Sequence, residues 1–191
     1  MSEEPMAAVQ PRLSSTELPT KAPYDLRLLP LPVEIARRIL AGKLRRALPP
    51  EPSSEQLPSW HPEYPLPDSI DAIAMVFAAH AAVQSAITEP PAWWIHQIVV
   101  DDVVVGDIGF HGPPGPEGAV EIGYTVVPAW RRRGVARRAC NLILQQAWQD
   151  GAEIVVAETD HDNVASQAVL LGNGFKQRPD GVFVLTRPEV Q

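Results

Sequence analysis

Tyr124-Thr125-Val126-Val127-Pro128-Ala129-Trp130-Arg131-Arg132-Arg133-Gly134-Val135-Ala136 runs an apolar strand into a proline turn, an arginine cluster, one glycine and the opening of a helix. The first N–H groups of a helix have no partner within it, and Gly134 has no Cβ to keep an anion away from them. Arg131 and Arg133 add charge-assisted donors suited to phosphate oxygens, and Ala136 is small. The helix dipole contributes only about 0.3–1 kcal/mol to an exposed anion. The stretch therefore reads as a seat for a pyrophosphate, with most recognition left to hydrogen bonds, the arginines and burial of the rest of the ligand.

Outward from this turn, Val135, Ala139, Leu142, Ile143 and Ala147 give the helix an inward stripe that stops at Gly151. Upstream, Trp93 to Val100, Val103 to Phe110 and Ala119 to Val127 read as a meander, reversed at Asp101-Asp102 and looped at Gly112-Pro113-Pro114-Gly115. Gly106 and Gly109 allow a bulge or a close backbone approach. Downstream come a strand over Glu153 to Thr159, a short helix over Asn163 to Gly172, and strands over Phe175 to Gln177 and Val182 to Thr186, joined by a turn at Asp180-Gly181.

Nearer the start, Tyr24 to Leu29 reads as a strand and Pro32 to about Leu44 as a helix. A second helix spans Asp68 to Gln84, with Asp68 as its cap and Ile70, Ile73, Ala74, Phe77, Ala78 and Ala81 as its apolar face. The proline-aromatic interval 49–67 opposes a regular strand or helix and reads as a loop or cover. The expected organisation is a polar, proline-containing lead over 1–23, one domain over 24–187 and a short tail over 188–191.

Sixteen basic against 23 acidic residues, a formal charge of −7, argue against general adhesion to nucleic acid but leave room for a local cationic patch. No run reaches the roughly 18 apolar residues of a membrane span, and no basic segment leads into an apolar one. The cytoplasm is the expected location, with no membrane contact. The single cysteine, Cys140, excludes an intrachain disulfide, and the histidines have no metal-ligand spacing, so no metal is expected.

Two blocks carry a family resemblance. Arg131-Arg132-Arg133-Gly134-Val135-Ala136 fits an Arg/Gln-x-x-Gly-x-Gly/Ala acyl-CoA signature and follows a Glu121-Ile122-Gly123-Tyr124 strand. Asn163-Val164-Ala165-Ser166 precedes Leu170-Leu171-Gly172-Asn173-Gly174-Phe175. In order and spacing these resemble the Gcn5-related N-acetyltransferase superfamily, especially its ribosomal-protein N-terminal acetyltransferase branch, over Leu26 to Thr186. The resemblance implies an α+β fold: a mixed, mostly antiparallel sheet of six or seven strands, helices on both faces, splayed at a central parallel pair. It implies acetyl-CoA as co-substrate, its pyrophosphate on Arg131, Arg133, Gly134, Val135 and Ala136. The pantetheine arm would meet the amides of Val126 and Val127, with Asn163 beside it. It also admits a homodimer.

Acetyl transfer from a thioester to a primary amine needs a free lone pair, a route for the amine proton and support for a developing oxyanion. Glu121 is the candidate base, set against a solvent-facing strand carboxylate. The family's tyrosine seven residues beyond Asn163 is Leu170 here, which cannot give a proton to departing CoA. Ser166 is the candidate replacement, set against a helix-start hydroxyl. Tyr124 reads as structural, and Arg132, Arg137 and Arg138 as solvated, with Arg138 a lesser candidate for the outer phosphate. Trp60, His61, Tyr64, Trp93, Trp94, Phe110 and His111 would furnish an aromatic wall, although Trp93 and Trp94 cannot both face one pocket. The expected function is transfer of an acetyl group by direct attack of a small-molecule amine or a peptide N-terminus. The alternative is an acyl-CoA-binding regulatory module without efficient transfer, favoured by Leu170.

Overall fold

A computed structural model of the chain describes residues 24–42, 58–80 and 88–189. The expected lead over 1–23, and Leu44, Ala81 and Gln84 at the ends of the expected helices, lie outside the described residues. In chain order the elements are β1 (Leu26–Pro30), α1 (Val33–Leu40), β2 (Ser59–Trp60), α2 (Pro67–Ala79), β3 (Ile95–Val100), β4 (Val103–Phe110) and β5 (Ala119–Val126). They continue as α3 (Val135–Gln149), β6 (Ile154–Ala157), α4 (Val164–Gly172), β7 (Lys176–Gln177) and β8 (Phe183–Thr186). One mixed sheet runs β1-β3-β4-β5-β6-β8-β7, with β2 attached to β4.

The meander forms because β-branched runs are separated by residues able to turn. Asp101 and Asp102 take φ of 46° and 63°, the left-handed pair whose twist matches a two-residue hairpin. Gly106 and Gly109 stand where the sheet is too tight for a side chain. A Cβ at Gly106 would come within 2.1 Å of the Thr125 carbonyl oxygen, and one at Gly109 within 2.5 Å of Ile95 Cα. Beside them the β3–β4 register shifts between Ile98 and Val99.

Three expectations need correction. The proline-aromatic interval does supply a strand: Ser59 N–H donates to the Asp102 carbonyl and His61 N–H to that of Val104. Neither residue is proline, and β5 begins pairing with β4 only at Gly106, so the edge at Val103–Val104 is open to β2. Asp68 does not cap α2. Leu66 occupies the cap without a side-chain bond, Pro67 stands in the first turn, and Asp68 follows it, where its charge favours the helix dipole. The buried face of α2 is Ser69, Ile73, Val76 and Phe77, while Ile70, Ala74 and Ala78 face outward. On that face Ser69 Oγ meets Thr125 Oγ1 of β5 at 3.0 Å.

One core lies under α1 and α2, built on Leu31, Ile35, Ile39, Ile73, Phe77 and Trp94. The other packs Val135, Ala139, Cys140, Ile143 and Ala147 of α3 onto Val120, Ile122 and Val126 of β5. Cys140 is fully buried there, and burial pushes its thiol up to about 12, which removes it as a nucleophile. Trp94 belongs to the first core, its indole N–H donating to the Leu31 carbonyl at 2.7 Å. Trp93 turns the other way, edge-on to Phe110, and Tyr64 and Phe110 are core residues. The aromatic wall therefore does not assemble as one surface.

What positions the site is the parallel pair β5–β6. Its ladder stops at Glu121 opposite Val156, whereas β5 continues to Val126. Beyond Glu121 the two strands diverge, leaving backbone of β5 without a strand partner on that side.

Candidate active site

The divergence opens a cleft of about 430 Å³, lined by Ile122, Gly123 and Tyr124 on one side and by residues that include Asn163, Ser166 and Leu170 on the other. Strand alternation decides what β5 offers it. Val127 N–H donates to the Val105 carbonyl and His111 N–H to that of Glu121, so the odd-numbered residues of β5 bond toward β4. Past the last β5–β6 pair at Glu121, the amides of Tyr124 and Val126 turn toward the opening. Of the two amides expected to meet a ligand, Val127 is thus already committed to the sheet, and Val126 remains.

At the far wall, Asn163 caps α4 by accepting from Ser166 N–H at 3.1 Å. Ser166 Oγ lies 2.8 Å from Tyr124 Oη, and the phenol also meets the Ser166 carbonyl at 3.1 Å. Burial pushes the phenol up to about 12, partly offset by Ser166. The two hydroxyls form a neutral, proton-bearing pair on the cleft surface beside Leu170, which is fully buried. The sequence reading kept them apart.

The arginine turn adjoins the end of β5. A 3-10 turn at Pro128–Trp130 leads to Arg132 and Gly134, both left-handed at φ 58° and 78°. Such alternation aims successive N–H groups into a concavity that suits an anion. No side chain caps α3, and a Cβ at Gly134 would meet only Tyr24 Oη, at 3.8 Å. Arg131 Nε donates to the Val126 carbonyl at 2.8 Å, which ties the turn to β5 and leaves the terminal guanidinium nitrogens beyond that bond. Arg133 lies over the Trp130 ring.

Tyr24 holds this turn from outside: its hydroxyl donates to the Arg133 carbonyl at 2.8 Å. Its ring meets Trp130 edge-on and carries Arg138 above it. Arg138 also donates to the Tyr24 carbonyl, so it is engaged here rather than free in solvent. Nothing local in the sequence marks Tyr24, because its partners lie more than a hundred residues away.

Glu121 stands on the other face of β5 from Tyr124, with Gly123 and Thr125. Its carboxylate lies 3.0 Å from His111 Nδ1, and the hydrogen bond from His111 holds it below the ordinary range, against the opposing effect of burial. Among the described residues no group of three His, Cys, Asp or Glu is placed to hold a metal ion. No helix among them is long and apolar enough to cross a membrane.

The family model described as an acetyltransferase (GNAT) domain matches residues 51–176. The chain belongs to the GNAT acetyltransferase family. Among curated proteins, this GNAT chain is 33% identical over 73 residues to the uncharacterized N-acetyltransferase YjdG of Bacillus subtilis (strain 168). That match covers 38% of the chain and 44% of the relative, so it spans less than half of the curated protein. Among solved structures, Mycobacterium smegmatis RimJ in complex with CoA-disulfide superposes with a TM-score of 0.54 at 20% identity, over 84% of this chain and 81% of that one. The ribosomal-protein-S5-alanine acetyltransferase of Vibrio fischeri gives 0.53 at 16% identity, over 85% and 92%. At these identities the likeness is one of fold.

The GNAT co-substrate, acetyl-CoA, fits the residues present. The first turn of α3 is uncapped, Gly134 leaves space above it, and the Val126 amide lies on the same edge of β5 as the cleft. Tyr24→Phe is expected to weaken acetyl-CoA binding about three- to tenfold, the value of one hydrogen bond of about 1 kcal/mol that shapes the turn. Calorimetric titration measures this, and an unchanged Kd would show that the turn keeps its shape without the phenol.

Proposed function

We propose that the protein transfers an acetyl group from acetyl-CoA to a primary amine, borne by a small molecule or a peptide N-terminus. The observation that carries this reading is the early end of the β5–β6 ladder at Glu121 and Val156. It leaves an open backbone edge between an anion-ready helix start and a pair of proton-bearing hydroxyls. Acetyl-CoA, when bound, supplies the activated acyl group as a thioester. The α3 turn with Arg131, Arg133 and Gly134 would hold the pyrophosphate, and Asn163 and the Val126 amide would flank the pantetheine arm. The same amide, pointing into the opening, is placed to support negative charge developing on the carbonyl oxygen.

At the other end of the reaction, the Ser166–Tyr124 pair would give a proton to the sulfur as its bond to carbon breaks. Ser166→Ala and Tyr124→Phe are each expected to lower kcat roughly 10- to 100-fold while the KM for acetyl-CoA stays within about threefold. Equal losses in both parameters would instead assign the pair to cofactor binding. The likeness to ribosomal-protein acetyltransferases supports a peptide N-terminus as one acceptor class, and a homodimer in the cytoplasm is consistent with that branch.

A screen of small amines and short peptides, monitored for both CoA release and product mass, tests the proposal. Acylated product from at least one amine is expected. Tight acetyl-CoA binding without product from any acceptor would favour a regulatory module that binds acyl-CoA.

A further inference from the structure

Resting on the acetyl-transfer reading above, we propose that His111, held by Glu121, accepts the proton of the incoming amine at Nε2, with Glu121 as a positioning residue. The β4–β5 register extends one pair past the end of β4, because His111 N–H donates to the Glu121 carbonyl at 2.9 Å. Residues opposite one another in a sheet share a face, so the two side chains meet, with His111 Nδ1 3.0 Å from Glu121 Oε1. In the neutral imidazole, giving Nδ1–H to a carboxylate leaves Nε2 as the acceptor.

That nitrogen points at the cleft wall. A Cβ built on Gly123 would stand 2.6 Å from His111 Nε2, and Gly123 itself lines the cleft. Gly123 is not among the glycines with positive φ, so the position uses the missing side chain, into whose space the ring fits. Glu121 is poorly suited to be the base: it is held ionised by His111, which lowers its proton affinity while making it a good partner for an imidazolium.

Among the described residues, the approach is open on this face of β5. Thr125, two residues beyond Gly123, is covered by Ser69 of α2, but α2 ends at Ala79, whose Cβ lies 3.1 Å from where a Cβ on Gly112 would be. Past that end, the His111 and Glu121 side chains are 23% and 38% exposed. An amine entering there meets Nε2 on one side of β5, while the Ser166–Tyr124 pair stands on the other. The proton balance follows that division. As the neutral amine forms its bond to the carbonyl carbon, one N–H proton passes to Nε2, and the hydroxyl pair gives one proton to the sulfur as the carbon–sulfur bond breaks. The imidazolium then releases its proton to solvent and the pair regains one, leaving amide and free thiol.

The test uses the full chain with acetyl-CoA and, as acceptors, 2-phenylethylamine, a tri-alanine amide with a free N-terminus, and any amine found by the screen. His111→Gln is expected to lower kcat about 100-fold, with acetyl-CoA affinity, which also verifies folding, within threefold of wild type. His111→Ala should recover part of its rate with added imidazole, which a structural role would not permit. Glu121→Gln should lower kcat about tenfold. Gly123→Ala should displace the ring and lower kcat without abolishing acetyl-CoA binding. Ring-nitrogen NMR should show the neutral wild-type imidazole protonated on Nδ1. Protonation on Nε2 instead, or a His111→Gln enzyme within threefold of wild type, overturns the assignment while leaving acetyl transfer intact. Wild-type protein that binds acetyl-CoA and acylates none of these amines brings down the transfer reading itself, and the assignment with it.

Discussion

Asp107→Asn is expected to flatten the protein's loss of stability between pH 4 and pH 7 and to leave the variant more stable than the parent above pH 7. Asp107 lies on β4 between Gln97 of β3 and Thr125 of β5, is 1% exposed, and has one carboxyl oxygen without a hydrogen-bond partner among the described residues. Burial raises its pKa from 3.8 to about 7, only partly countered by the neighbouring Ser69, Thr125 and Tyr64 hydroxyls. The folded state therefore holds a proton that the unfolded chain has lost, so stability falls as pH rises through that window. Below 3.8 both states are protonated and the contribution is complete. Above 7 both are ionised and it is gone.

At about 1.4 kcal/mol per pH unit, the span corresponds to roughly 4 kcal/mol. That is a large share of the 5–15 kcal/mol typical of a folded domain. Urea unfolding at pH 4, 5.5, 7 and 8 measures it. The parent should lose stability across the series, and Asp107→Asn should lose little. The same slope in both proteins would place its origin elsewhere.

Arg131→Ala is expected to weaken acetyl-CoA binding roughly 30- to 1,000-fold, or about 2–4 kcal/mol. Two losses combine. The terminal guanidinium nitrogens would no longer reach phosphate, and hydrogen bonds to charged groups contribute about 1.5–3 kcal/mol each. The turn would also lose its tie to the Val126 carbonyl, beside the amide proposed to face the thioester. Arg132→Ala should change affinity far less, since Arg132 has no part in that tie. Calorimetry on the two variants separates them, and equal small effects would show that the turn does not carry the phosphate.

The turn itself was legible in the sequence because its parts are local: a strand, a proline, arginines and a glycine within a dozen residues. The meander was legible for the same reason, from β-branched runs broken by aspartates and glycines. The features that were not legible depend on register. His111 and Glu121 face each other only because the loop over 112–118 closes the hairpin at that pairing, and a slip of one residue would send them to opposite faces. Tyr24 reaches the arginine turn, and Ser166 reaches Tyr124, through packing of distant elements. The buried face of α2 was read only in part: Ile73 and Phe77 are buried as expected, but Ser69, paired with Thr125, is buried too and Ile70 is exposed, which hydrophobic spacing does not register. The short strand at Ser59–Trp60 escaped because proline content describes an interval, whereas pairing needs only two residues with free N–H groups.

The central claim is that acetyl-CoA lies along the opening of β5, with its diphosphate at the start of α3 and its thioester beside Val126. Amide chemical-shift mapping during an acetyl-CoA titration tests it most directly. The largest changes are expected at Val126, Gly134, Val135 and Ala136, with a second group at Asn163 and Ser166. Saturable binding that leaves those amides unmoved and shifts others would contradict it.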